Sequence, residues 1–154
     1  MTTYTATIRW SRTRDGDFAK GQYSRAHEWA FDGGHVMPAS ASPHVVPAPW
    51  SDPAGVDPEE AFVASLSSCH MLFFLDFARR GGWTVDSYTD EAEGRTGRNA
   101  SGKEAFTKIV LRPNIVFSGA KQPTQPELEA LHHAAHEACF VAHCLTAEIV
   151  VEAA

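Results

Sequence analysis

Asp57-Pro58-Glu59-Glu60-Ala61-Phe62-Val63-Ala64-Ser65-Leu66-Ser67-Ser68-Cys69-His70-Met71-Leu72-Phe73-Phe74-Leu75-Asp76-Phe77-Ala78-Arg79-Arg80-Gly81-Gly82 reads as one long helix with both ends marked. Asp57 is a good N-cap, Pro58 suits the first helical position, and Glu60, three residues after Asp57, closes a capping box. Arg79 and Arg80 suit the negative end of the helix dipole, and Gly81-Gly82 supply the stop. At about 1.5 Å per residue the rod is about 35 Å long. Phe62, Leu66, Cys69 and Phe73 recur at helical spacing along one face, and Phe74, Leu75 and Phe77 cover much of the rest. A helix that is apolar around its circumference is buried on all sides. Ser67, Ser68, His70 and Asp76 interrupt the apolar run, so a core helix is expected here and not a membrane span. A cysteine sits about midway along it.

At 154 residues the chain suits a single domain, 1–154, with a sizeable core, and 44% hydrophobic with 21% charged residues is ordinary for a globular protein. The net charge is −6 and no Lys/Arg run stands out, which argues against nucleic acid and anionic membrane surfaces as partners. Met1-Thr2-Thr3-Tyr4-Thr5 carries no charged-then-apolar leader pattern, so a cytoplasmic protein is expected. In that compartment three cysteines are not a disulfide framework.

Thr3 to Trp10 and Tyr23 to Phe31 alternate in the manner of strands, with a loop from Ser11 to Gly21 between them. Asp32-Gly33-Gly34 signals a hairpin from which His35-Val36-Met37 pairs back. The connection from Pro38 to Pro58 holds six of the nine prolines and is expected to be extended. After the helix, Trp83 to Gly94 reads as a strand, Arg95 to Gly102 as a turn and Ala105 to Phe117 as a long strand with an edge or bulge at Pro113. Thr124 and Glu127 form a second capping box opening a helix from Thr124 to Leu145, and Thr146 to Glu152 closes as a strand. The order is that of an α+β fold with antiparallel sheets. One chain's sheets cannot cover every face of the central helix, whereas a homodimer sandwiching the long helices between its sheets would.

Cys69 and Cys139 lie on different long helices. They are either small buried hydrophobes or a nucleophilic thiolate with a resolving thiol, the latter needing a cation beside Cys69. His132, His136, Cys139 and His143 also form a helical stripe of potential metal ligands, to which Cys69 could add a thiolate, though no CxxC or HExxH accompanies it.

Asp-Pro-Glu-Glu-Ala-Phe-Val-Ala-Ser-Leu-Ser-Ser-Cys-His (57–70) resembles the helix start and reactive-cysteine run of the OsmC/Ohr family, the osmotically inducible protein C and organic hydroperoxide resistance proteins. Asp86-Ser87-Tyr88 is similar to a strand start of that family, and His-Glu-Ala-Cys-Phe-Val-Ala (136–142) followed by Thr-Ala-Glu-Ile-Val-Val (146–151) to its second-cysteine helix and closing strand. The resemblance spans Trp29 to Glu152. It implies an OsmC-like fold, antiparallel sheets around two long central helices, in an intertwined homodimer with two interface active sites. It implies Cys69 as peroxidatic thiol, Cys139 as resolving thiol, and Glu59 as the carboxylate that holds an arginine, for which Arg25 is the candidate. The Ohr branch has Cys-Pro where this chain has Cys139-Phe140, which leans toward the OsmC branch or a sibling of it. Cys144 is extra, a rival resolving thiol or a bystander.

The expected chemistry is reduction of an organic hydroperoxide by Cys69, a Cys69–Cys139 disulfide, and its reduction by an external dithiol such as one of the lipoyl type. Phe62, Phe73 and Phe74, with Trp50 in the proline-rich loop, suit an organic hydroperoxide better than hydrogen peroxide. No flavin, haem or nucleotide motif is visible, so no cofactor is expected. The alternatives are a non-catalytic dimeric stress or ligand-binding protein on the same fold, or a His/Cys metal protein. Glu59 and Cys69 lie ten residues apart, about 15 Å on a straight helix at about 1.5 Å per residue, so they can serve one site only if the central helices of two protomers cross antiparallel.

Overall fold

In the computed structural model, which describes residues 1–153, the central helix α1 (Pro58–Arg80) runs unbroken for 23 residues. Its capping box is formed: the Glu60 N–H donates to Asp57 Oδ1 at 2.7 Å and the Asp57 N–H to Glu60 Oε2 at 3.3 Å. At the other end Arg79 and Arg80 both pair with Asp76, at 2.8 and 2.7 Å. Gly82 turns the chain at φ +79°, a left-handed conformation that carries no Cβ penalty in glycine, and the Trp83 N–H closes on the Ala78 carbonyl at 3.0 Å. By length and composition α1 would also suit a bilayer, but its Leu66, His70, Phe74 and Ala78 stripe, at i, i+4 spacing, is buried in protein. Its other faces are covered less. Leu72 is 60% exposed, and Ala64, Ser65 and Ser68 are exposed too. One chain therefore does not bury the helix on all sides.

The chain divides into two compact units, Met1–Ala61 and Phe62–Ala154. The first holds an antiparallel sheet of β1 (Ala6–Arg9), β2 (His27–Phe31) and β3 (Val36–Ala39), in that order. The first two strands are shorter than the alternation predicts. Residues 23–26 instead make loop contacts: the Ser24 carbonyl accepts from Trp10 Nε1, and the Arg25 N–H donates to the Trp50 carbonyl, both at 2.9 Å. The Asp32-Gly33-Gly34 turn joins β2 to β3 as expected, and β3 tolerates Pro38 because it is an edge strand. A 3₁₀ turn at Phe18–Lys20 interrupts the expected loop. The proline-rich connection is a series of turns, pinned where Ala39 bridges Val56 and where buried Ser40 accepts the Asp52 N–H at 2.9 Å.

In the second unit two expected strands become four. Trp83 to Gly94 divides into β4 (Thr84–Asp90) and the start of β5 (Glu93–Arg98), which takes up residues expected in a turn. Ala105 to Phe117 divides into β6 (Glu104–Leu111) and β7 (Pro113–Ser118). The break has a physical cause. Asp90 Oδ1 accepts the Arg112 N–H at 2.6 Å and Oδ2 the Ser67 hydroxyl at 2.5 Å, while the Arg112 guanidinium pairs with Glu93 and Glu152, each at 3.1 Å. Both strands bend at that knot, so β4 pairs with β7 while β5 pairs with β6. The helices α2 (Gln125–Ala138) and α3 (Phe140–His143) follow, and β8 (Glu148–Val151) then joins β6 in parallel. A helical crossover between two strands of a sheet permits that direction, and β6–β8, with the isolated Ala39–Val56 bridge, departs from the antiparallel expectation. Two apolar clusters fill the unit: Leu66, Ile109, Leu111, Cys139 and Ala142, and Phe74, Ala78, Leu131 and Ala135.

Candidate active site

The second long helix ends sooner than expected. Glu127 Oε2 accepts from both the N–H and the hydroxyl of Thr124 at 2.8 Å, so the start is as read, but α2 stops at Ala138. Cys139 is extended, φ −71° and ψ 109°, and its sulfur accepts the Ala142 N–H at 3.4 Å, capping the single turn of α3. The cysteine is thus a joint between two helices and is fully buried. Burial pushes its thiol pKa up to about 11, and a hydrogen bond with the adjacent Cys69 pushes the same way; the Ala142 and Val141 N–H groups pull against both. At neutral pH Cys139 is a protonated thiol.

Cys69, on α1, packs against the cluster that holds Cys139 and is half-buried. Phe62 and Phe73 pack into the same cluster as the two sulfurs. Phe62 stacks on Phe106 with ring centroids 4.9 Å apart, and Phe73 meets Phe140 edge-on at 5.5 Å. Cys144 lies beyond α3, exposed, its thiol donating to the Phe140 carbonyl at 3.4 Å.

His70, the residue after Cys69 on α1, is one of a pair of buried histidines. His70 Nε2 and His132 Nδ1 are 3.0 Å apart, and the rings stack 9° from parallel. Burial lowers both pKa values to about 4, so both rings are neutral at physiological pH. The expected ligand stripe includes His132, and His70 stands in the sequence as an interruption of the apolar run. The signal that was there is spacing: His70 continues the Leu66–Phe74–Ala78 repeat. The joint at Cys139 also breaks the stripe, and His143 Nε2 turns to the Glu137 carbonyl at 2.7 Å. His132, His133 and His136 line a cavity of about 460 Å³, but among the described residues no three His, Cys, Asp or Glu side chains converge as a metal site.

The remaining candidates lie in the first unit. Arg25 Nη1 donates to the Gly21 and Tyr23 carbonyls at 2.6 and 2.5 Å, and its guanidinium lies 3.6 Å from the Tyr23 ring centroid. It faces a cavity of about 500 Å³ walled by Ile8, Trp10, Phe18 and Tyr23 and bounded by Pro58. Trp50 is tied to Arg25 through the backbone hydrogen bond described above. Glu59 sits in the first turn of α1 and makes no ion pair with Arg25 among the described residues. The aromatic cluster of Trp10, Phe18 and Tyr23 was not singled out from sequence; its members are scattered through strand and loop and have no common period.

Residues 51–154 match the model of the OsmC-like protein family. An OsmC-like protein of unknown function from Vibrio cholerae O1 biovar eltor is 54% identical over 100% of both chains, with a TM-score of 0.97. The organic hydroperoxide resistance protein OhrB of Bacillus subtilis is 18% identical with a TM-score of 0.67, over 99% of this chain and 98% of its own. An organic hydroperoxide resistance protein OsmC from Legionella pneumophila is 16% identical with a TM-score of 0.68, over 99% and 96%. At those lower identities the likeness is one of fold. No curated protein is significantly similar in sequence.

Proposed function

The chain belongs to the OsmC-like protein family, and from that premise we propose that it is a cysteine-based thiol peroxidase reducing organic hydroperoxides to alcohols. The observation that carries the reading is the pair of adjacent thiols, half-buried Cys69 and buried Cys139, set among Phe62, Phe73 and Phe106. The Cys69 thiolate attacks the distal oxygen of the hydroperoxide; the O–O bond breaks, an S–O bond forms, and the alkoxide takes a proton to leave as alcohol. Cys139 then attacks the Cys69 sulfenic acid, forming the disulfide and releasing water. An external dithiol of the lipoyl type returns both thiols by exchange, supplying the two electrons. The apolar rings favour an organic peroxide over a small polar one.

The proposed unit is an intertwined homodimer of a single OsmC-like domain, working in the cytoplasm. Support comes from α1, whose Ala64, Ser65, Ser68 and Leu72 one chain leaves exposed, small and apolar positions against which a second helix can pack. In this reading Arg25, held by Glu59, activates Cys69 of the other protomer, since α1 is unbroken and its rise separates Glu59 from Cys69 by about 15 Å. Trp50 supports Arg25 through its backbone carbonyl, which accepts the Arg25 N–H.

One equivalent of organic hydroperoxide should lower the intact mass by about two hydrogens and link Cys69 to Cys139, leaving Cys144 open to alkylation. A Cys69–Cys144 link would move the resolving role to Cys144, and no disulfide would leave at most a one-cysteine enzyme. The composite site has its own check. Mixed Glu59→Ala and Cys69→Ser chains should regain about one native site per heterodimer. Heterodimers no more active than either parent would place the whole site within one chain.

A further inference from the structure

His70 follows Cys69 directly on α1. His132 lies within α2, and Cys139, seven residues on, is the extended residue that caps the end of that helix. Both contacts therefore tie α1 to the same segment, the imidazoles within α2 and the thiols at the joint that ends it. His70 and His132 are only 1% and 5% exposed, and the His132 ring also lies against Phe74, with centroids 4.5 Å apart. A hydrogen bond between two neutral imidazoles uses one N–H. His132 Nε2 is buried with no partner, and an orphaned buried N–H is rarer than an orphaned acceptor, so the proton sits on His132 Nδ1 and is donated to His70 Nε2.

We propose that the His70–His132 hydrogen bond is a positioning clamp that fixes α1 against α2 in the register at which Cys69 can close on Cys139. The Phe, Leu and Ala contacts around it are non-directional and tolerate small slides of one helix on the other. The imidazole pair does not: the lone pair lies in the ring plane, and a slide leaves two buried nitrogens unpaired. A disulfide needs its Cα atoms within roughly 4.4–6.8 Å, so its formation is the step most sensitive to that register. Attack of Cys69 on a peroxide has no such requirement. The inference rests on the thiol-peroxidase reading and assigns the pair to the resolving step alone, as positioning residues that touch no substrate.

The test is a single turnover with one equivalent of cumene hydroperoxide, reading Cys69 sulfenic acid by dimedone trapping and the Cys69–Cys139 disulfide by intact mass. Three variants are compared with wild type: His132→Leu, the double variant His70→Leu/His132→Leu, and His132→Asn, which keeps a donor near the Nδ1 position. Sulfenic acid should form within about twofold of wild type in all three. Disulfide formation should slow about tenfold or more in His132→Leu and equally in the double variant, although the double variant recovers thermal stability because both partners are then apolar. His132→Asn should stay within about threefold. A stable double variant closing the disulfide at the wild-type rate overturns the clamp, as does a tenfold loss in His132→Asn, which decides the matter should the double variant fail to fold. Wild-type protein that gives no sulfenic acid overturns the peroxidase reading instead, and the clamp is then judged by the same tenfold shift in the thiol–disulfide equilibrium against oxidised glutathione.

Discussion

Cys69→Ser is expected to lose about a thousandfold or more of the rate of organic hydroperoxide consumption, because a serine hydroxyl is not ionised at neutral pH and cannot displace an alkoxide from oxygen as a thiolate does. The effect should be specific to that sulfur. Cys139→Ser should still consume one equivalent and then stop at the sulfenic acid, because its loss removes resolution and not attack. Cys144→Ser should stay within about twofold of wild type, its thiol lying exposed beyond α3. Steady-state peroxide consumption with a dihydrolipoyl donor distinguishes the three. A Cys69→Ser protein of near-native rate would sink the thiol mechanism, and loss confined to Cys144→Ser would move the nucleophile.

The same residues show what the sequence could and could not disclose. α1 was legible end to end because its signals are local: a capping box, paired arginines and a glycine stop lie within a few residues of the helix they bound. The shortened α2 was not. Nothing in His-Glu-Ala-Cys-Phe-Val-Ala breaks a helix by propensity, and the joint at Cys139 comes from its sulfur capping Ala142 inside a core that only the folded chain supplies. The divided strands failed for a related reason. Asp90 and Arg112 are 22 residues apart, and alternation within either strand says nothing of a side chain reaching across to the other's backbone. The two cysteines were named from their motifs, but that their sulfurs are adjacent, and that Cys144 lies apart, is a property of packing.

Lowering the pH from 7 to 5 should destabilise the folded protein by several kcal/mol before its carboxylates begin to titrate. His70 and His132 have pKa values of about 4 when folded against 6.5 in the unfolded chain. Below 6.5 the unfolded state binds protons that the folded state refuses, so stability falls as pH falls through this window and levels off near the folded value. Each histidine contributes about 2 kcal/mol of loss by pH 5 on that shift, against a total stability of about 5–15 kcal/mol for ordinary domains. Other groups facing the pair do not cancel this. Asp90 on β4 favours the His70 cation but is outweighed by burial, while His136 on α2 opposes it. The carboxylates with depressed pKa values, Asp76, Glu93 and Glu127, are exposed, and their contribution is lost only below the usual carboxylate range. Denaturant unfolding at fixed protein concentration, at pH 7, 6 and 5, measures the slope. Wild type should lose stability progressively, whereas His70→Leu/His132→Leu should have a much shallower slope, because the two buried imidazoles are gone. Equal slopes in the two proteins would show that the imidazoles are not held neutral by burial, and the acid sensitivity would then belong to groups elsewhere in the chain.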